Sequence, residues 1–181
     1  DSNEYSAIFT LYAKKLIPNK SFSFKYLNDK EVEMYLGEEH SDFSNENNTA
    51  QCQLLHKTTY DNLLWTCKLY KFGFLSEDME RNVTSPCGYN FLFDTGSNIM
   101  ILPLETLENI SRNLSQFNCS VAKTSNGQQI FCTNHKNLPN VYIEVGNHYL
   151  ILDKEKMFSL VKLEDGRTGY ILDAVFKDSN N

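Results

Sequence analysis

The residues best placed to do chemistry in this 181-residue chain are Asp94, Thr95, Gly96 and Ser97. The apolar Phe91-Leu92-Phe93 runs into them, and Asn98 and a second apolar run, Ile99 to Leu102, follow before Pro103. That pattern predicts two buried strands joined by a tight loop with a carboxylate at its tip. Gly96 lets the backbone pass close behind the carboxylate without a Cβ clash. Thr95 and Ser97 bring hydroxyls able to hydrogen-bond its ionised form. The same four residues also suit a plain reversal between strands. The apolar flanks on both sides weigh toward a carboxylate held still for acid–base work.

Five cysteines, Cys52, Cys67, Cys87, Cys119 and Cys132, form no CxxC pair and have no histidine at ligand spacing, so no zinc site and no other metal is expected. Disulfides are the expectation instead. Cys119 and Cys132 bracket a polar hairpin tip with Asn126-Gly127 as its turn, and a bridge between them would staple that hairpin. How Cys52, Cys67 and Cys87 pair stays open. Asn19, Asn47, Asn82, Asn109, Asn113 and Asn118 each begin an Asn-x-Ser/Thr sequon, which fits an oxidising compartment. His40, His56, His135 and His148 are scattered and read as surface residues.

Composition narrows the partners. With 41% hydrophobic residues, twelve Phe and ten Tyr, the chain can bury a real core as a single domain, 1–181. A net charge of −6 and no run of Lys or Arg longer than two leave no footprint for nucleic acid. No apolar run approaches the roughly 20 residues needed to cross a bilayer, and Asp1 begins no signal peptide, so a soluble chain is expected.

The elements that must position the loop are mostly strands. Ile8, Leu11, Tyr12 and Leu16 predict a short amphipathic helix ending at Pro18. Phe22, Phe24 and Tyr26 alternate with polar residues, as does Val32 to Gly37, and residues 38–53 read as a polar loop. Thr59 to Phe74, which carries the single tryptophan, Trp65, and Leu138 to Gly146 also alternate. Trp65 is read as a core aromatic. Leu104, Leu107, Ile110 and Leu114 recur at helical spacing, with Asn109 and Asn113 on the opposite face. The fold class is therefore mainly β with a few short helices.

Taken together, Asp94-Thr95-Gly96-Ser97, Phe22 to Leu27, Val32 to Gly37, the Trp65 strand, Leu138 to Gly146 and Tyr149 to Leu152 resemble the second lobe of the pepsin-like aspartic proteases, and most closely the plasmepsins. The resemblance implies one lobe of a bilobal enzyme, with 1–27 as the inter-lobe crossing and first strand and 177–181 as a polar tail. It implies that Asp94 is catalytic, that Thr95, Gly96 and Ser97 support it, and that Asn98, Ile99 and Ile171 line the substrate cleft. No cofactor is implied. Cys87 matches a position where the family often carries a disulfide cysteine.

The family needs an apolar-apolar-Gly segment threading beside the aspartate loop. The matching stretch here, Tyr170 to Phe176, places Asp173 where glycine is expected and Ala174 where aspartate is expected. A side chain there would push two loops apart or bury a second carboxylate, unless the register differs and Gly169 serves instead.

Hydrolysis in this family takes two aspartates, and the chain has no second Asp-[ST]-Gly and no tyrosine-bearing flap hairpin. The expectation is a carboxyl-terminal lobe, inactive alone, whose partner is an amino-terminal lobe carrying the second aspartate and whose substrate is protein or peptide. Two alternatives stand beside it. One is a homodimer of retroviral type, although 93 residues precede Asp94 here. The other is a lobe that lost catalysis and was kept for binding. The expected location is the secretory pathway, the exterior or an acidic vesicle.

Overall fold

A computed structural model describes residues 7–28, 30–38, 66–94, 96–125, 127–146 and 148–178. Trp65, Cys52, Thr95, Asn126, the polar loop beyond residue 38, His40, His56, Asn47 and the last three residues of the tail lie outside them. Contacts divide the chain into two compact units, 1–49 and 50–181.

In the first unit, helix α1 (Ala7–Ala13) leads to an antiparallel hairpin of β1 (Phe22–Asn28) and β2 (Glu31–Leu36). The helix stops short of Pro18. Lys15 turns to φ 57° and Leu16 N–H closes back on Leu11 O at 2.9 Å. Residues just before a proline resist the helical region, which favours this early exit. Phe22 pairs with Leu36 and Phe24 with Met34, but the alternation does not separate a buried face from an exposed one: Ser23 and Lys25 are half-buried like Phe22 and Phe24, and Tyr26, Val32 and Met34 are exposed.

The second unit is two sheets around one core. Strands β3 (Thr66–Leu75) and β4 (Asn82–Leu92) form a long hairpin; β5 (Met100–Pro103) runs straight into helix α2 (Leu104–Ser111). Then come the hairpin β6 (Cys119–Thr124) and β7 (Gly127–Cys132), the hairpin β8 (Asn140–Val145) and β9 (His148–Leu152), the single helical turn α3 (Lys154–Met157), and β10 (Phe158–Lys162), β11 (Thr168–Leu172) and β12 (Ala174–Lys177). One sheet has the order β4-β3-β8-β9. The other runs β10-β11-β7-β12-β5, with β6 on β7.

Inward-facing aromatics join the two sheets. Phe72 and Phe74 of β3 are fully buried; Phe72 meets Phe176 of β12 at 6.1 Å between ring centroids, and Phe74 meets Phe117 at 6.4 Å and Phe158 at 6.5 Å. Edge-on approaches such as that of Phe72 and Phe176 suit the ring quadrupoles, beyond the area they remove from water. Helix α2 closes one side with Leu107 and Ile110, as its spacing predicts, and also buries Thr106, whose hydroxyl pairs with Tyr89 Oη at 3.1 Å. Asn109 lies on the exposed face but is not idle: its Nδ2 donates to the buried Ser85 Oγ at 3.0 Å.

Cys119 and Cys132 are directly opposite in the β6–β7 register and are bonded, as the hairpin pattern predicts. Cys67 is also disulfide-bonded. Cys87 keeps a free, half-buried thiol, 3.3 Å from Tyr89 Oη. His135 and His148 are exposed, and His135 pairs with Glu155 at 3.1 Å.

Candidate active site

The loop between β4 and β5 holds Asp94 at its tip. Gly96 N–H donates to Asp94 Oδ1 at 2.9 Å, and Ser97 N–H closes the turn on Asp94 O at 3.1 Å. A Cβ on Gly96 would stand 3.3 Å from that same carboxylate oxygen, so glycine is what lets the backbone donor come this close. Ser97 Oγ donates to Ile99 O at 2.8 Å and so braces the loop rather than bonding the carboxylate directly. Thr95 lies outside the described residues.

What lies beside this loop answers the register question. Strand β12 runs parallel to β5, pairing Ala174 with Met100 and Phe176 with Leu102. Asp173 sits at the bend between β11 and β12. Its carbonyl accepts from Met100 N–H at 2.9 Å and its own N–H donates to Met157 O at 2.9 Å. Gly169 is not the residue at this crossing. It pairs with Val161 across β10, where a Cβ would meet Cys132 O at 2.5 Å, so its smallness serves packing within the sheet.

A cleft of about 900 Å³ opens over the loop. Asp94, Ser97, Asn98 and Ile99 line it, and so does Asp173. Its walls come from Tyr89, Phe91, Met100, Leu150, Leu152 and Met157. Apolar walls with a few polar groups among them suit a peptide-binding cleft. Ile171 stands elsewhere: it is 8% exposed, in β11 opposite Phe131 and Ser159, and is not among the cleft-lining residues.

The Asp173 carboxylate has its own environment. Ser159 Oγ donates to Asp173 Oδ2 at 2.9 Å. Burial pushes the Asp173 carboxyl above the usual range, and the Ser159 bond pulls against that shift. Burial also drives the Tyr89 phenol far up, with Cys87 beside it adding to the shift. Tyr89 therefore serves as a neutral hydrogen-bonding group.

Several cleft residues escaped the sequence reading. Tyr89 and Phe91 of β4, Leu150 and Leu152 of β9 and Met157 of α3 reach the cleft only because strands distant in sequence meet there. The alternation of β9 marks which residues share a face, but not that this face borders the aspartate loop.

Two packed sheets, a loop that carries Asp94 and Ser97 along an apolar cleft and a strand threaded parallel beside it make up the architecture of a pepsin-like aspartic-protease lobe. The chain belongs to that family: residues 2–172 match the family model described as eukaryotic aspartyl protease. A search of the curated proteins found no match. Among the described residues, no helix is long and apolar enough to cross a membrane.

Proposed function

We propose that this chain is the carboxyl-terminal lobe of a two-lobed, plasmepsin-like aspartic endopeptidase, and that Asp94 supplies one of its two catalytic carboxylates. The observation that carries this reading is the Asp94 loop itself, with its carboxylate braced by Gly96 N–H at 2.9 Å and set at the mouth of an apolar cleft.

The second carboxylate comes from the amino-terminal lobe. Two carboxylates that face each other cannot both ionise cheaply, so the pair carries one proton and titrates as a unit. The ionised member takes a proton from a water held between them, and the water oxygen attacks the scissile carbonyl. The protonated member donates to the carbonyl oxygen as the tetrahedral species forms. In this scheme Asn98 and Ile99 border the substrate, Ser97 stiffens the loop, and the lobe by itself does not hydrolyse peptides. Folding in the secretory pathway, glycosylation at sequons and work in an acidic vesicle or outside the cell belong to the same reading.

One observation favours a second reading, a lobe kept for binding after losing catalysis. Asp173 puts a further carboxylate into the cleft where the family resemblance expects glycine. Cleavage of an unstructured peptide library at acidic pH by the full-length precursor, beside its Asp94→Asn variant, separates the two. Activity that disappears with the substitution supports the endopeptidase; folded protein with no activity in either form supports the binding lobe.

A further inference from the structure

Asp173 is held firmly for a residue in a glycine's place. Its backbone is bonded on both sides, to Met157 O and from Met100 N–H, each at 2.9 Å, and Ser159 Oγ fixes Oδ2 at 2.9 Å. Its other oxygen, Oδ1, has no hydrogen-bond or ion-pair partner among the described residues. The carboxylate is therefore oriented and half-committed.

Its surroundings leave the charge under-solvated. Asp173 shares the cleft with Met100, Leu152 and Met157, apolar neighbours that offer a carboxylate nothing. Burial raises its pKa accordingly. Lys156 and Lys177 also line the cleft. A charge in this position gains most from a cation brought by a ligand, and apolar walls suit the alkyl stem that carries such a cation.

Resting on the peptidase reading above, we infer that Asp173 is a specificity-determining residue whose Oδ1 receives the ammonium or guanidinium of a Lys or Arg side chain, so that the cleft selects peptides with a basic residue at one position. No such preference would exist with glycine at 173. The substitution thus exchanges close backbone approach for recognition of charge.

Binding and cleavage are tested separately. Fluorescence anisotropy measures binding of synthetic peptides to the full-length protein carrying Asp94→Asn, which cannot consume them and lacks the Asp94 charge. The peptides differ only in having Lys, norleucine or Glu at one scanned position. The expected result is a position where Lys binds about tenfold tighter than norleucine, a margin that shrinks with added salt. Asp173→Asn, close in shape and still able to accept from Ser159, should bring the ratio to near unity. Ser159→Ala frees the carboxylate without removing its charge and should cut the ratio to about threefold.

Equal binding of Lys and norleucine at every position overturns the inference, as does a Lys preference that survives Asp173→Asn, or a preference for Glu through Lys156 and Lys177. Cleavage of the Lys peptide by protein with Asp94 intact then tests the peptidase reading alone. Selective binding without cleavage removes that reading and keeps the inference, and cleavage without selectivity does the reverse.

Discussion

Met100 N–H donates to Asp173 O at 2.9 Å, and through that bond the strand leaving the aspartate loop is tied to the strand that follows Asp173. The parallel ladder continues it, Val175 beside Ile101 and Phe176 beside Leu102. Residues far apart in sequence are thereby brought to one cleft.

The first consequence is a pH dependence of stability. Burial raises the Asp173 pKa above the usual aspartate range, so the folded state holds this proton more tightly than the unfolded chain does. The stability it contributes is fully present below the unfolded pKa and is lost as pH rises through the raised folded value. Urea midpoints measured from acidic to neutral pH should fall over that window, and Asp173→Asn should flatten this part of the curve. An unchanged slope in the variant contradicts the assignment.

Gly96→Ala tests how closely the carboxylate must be braced. A Cβ there would sit 3.3 Å from Asp94 Oδ1, tight enough to move one of the two by a few tenths of an ångström. Peptide hydrolysis by the full-length protein should drop by about ten- to a hundredfold. Stability should change by less than about 1 kcal/mol, since the site is exposed. Kinetics and thermal melts on the same preparation check both halves.

Phe176→Ala should be costly. The ring is 1% exposed and packs edge-on against Phe72 at 6.1 Å, joining the two sheets. A loss of about 3–5 kcal/mol is expected from denaturant unfolding. A double-mutant cycle with Phe72→Leu should show a coupling of about 1 kcal/mol, and strict additivity would mean that the two rings do not support each other.

Replacing Cys119 and Cys132 together by Ala should remove about 3 kcal/mol, because the bond closes a loop of sequence separation 13 in the unfolded chain. The antiparallel register, with the two residues directly opposite, should persist, and circular dichroism should remain that of a β protein. Loss of sheet signal would assign the disulfide a larger part in forming the hairpin.

Local pattern carried most of the element reading. Period-two alternation marked β1, β2, β3 and β8, and 3.6-residue spacing marked α2 through Leu107 and Ile110. It was less sure at ends: α1 stops at Ala13 because of Lys15 and the proline beyond, and the Asn109 side chain, assigned to solvent, reaches back to Ser85. Both differences come from contacts that a one-dimensional period does not contain.

By itself the sequence determined the chemistry at hand: one carboxylate in a Gly-containing loop between apolar strands, a disulfide across one hairpin, and a mainly β chain of the aspartic-protease family. These follow from residue type and spacing, which act over a few residues. Only the tertiary structure decided between Gly169 and Asp173 at the crossing, left Cys87 as a free thiol, took Ile171 into the sheet and brought Leu150, Leu152 and Met157 to the cleft. Those outcomes depend on which strands pair and at what register, and pairing is set by the joint burial of both sheets rather than by any one segment.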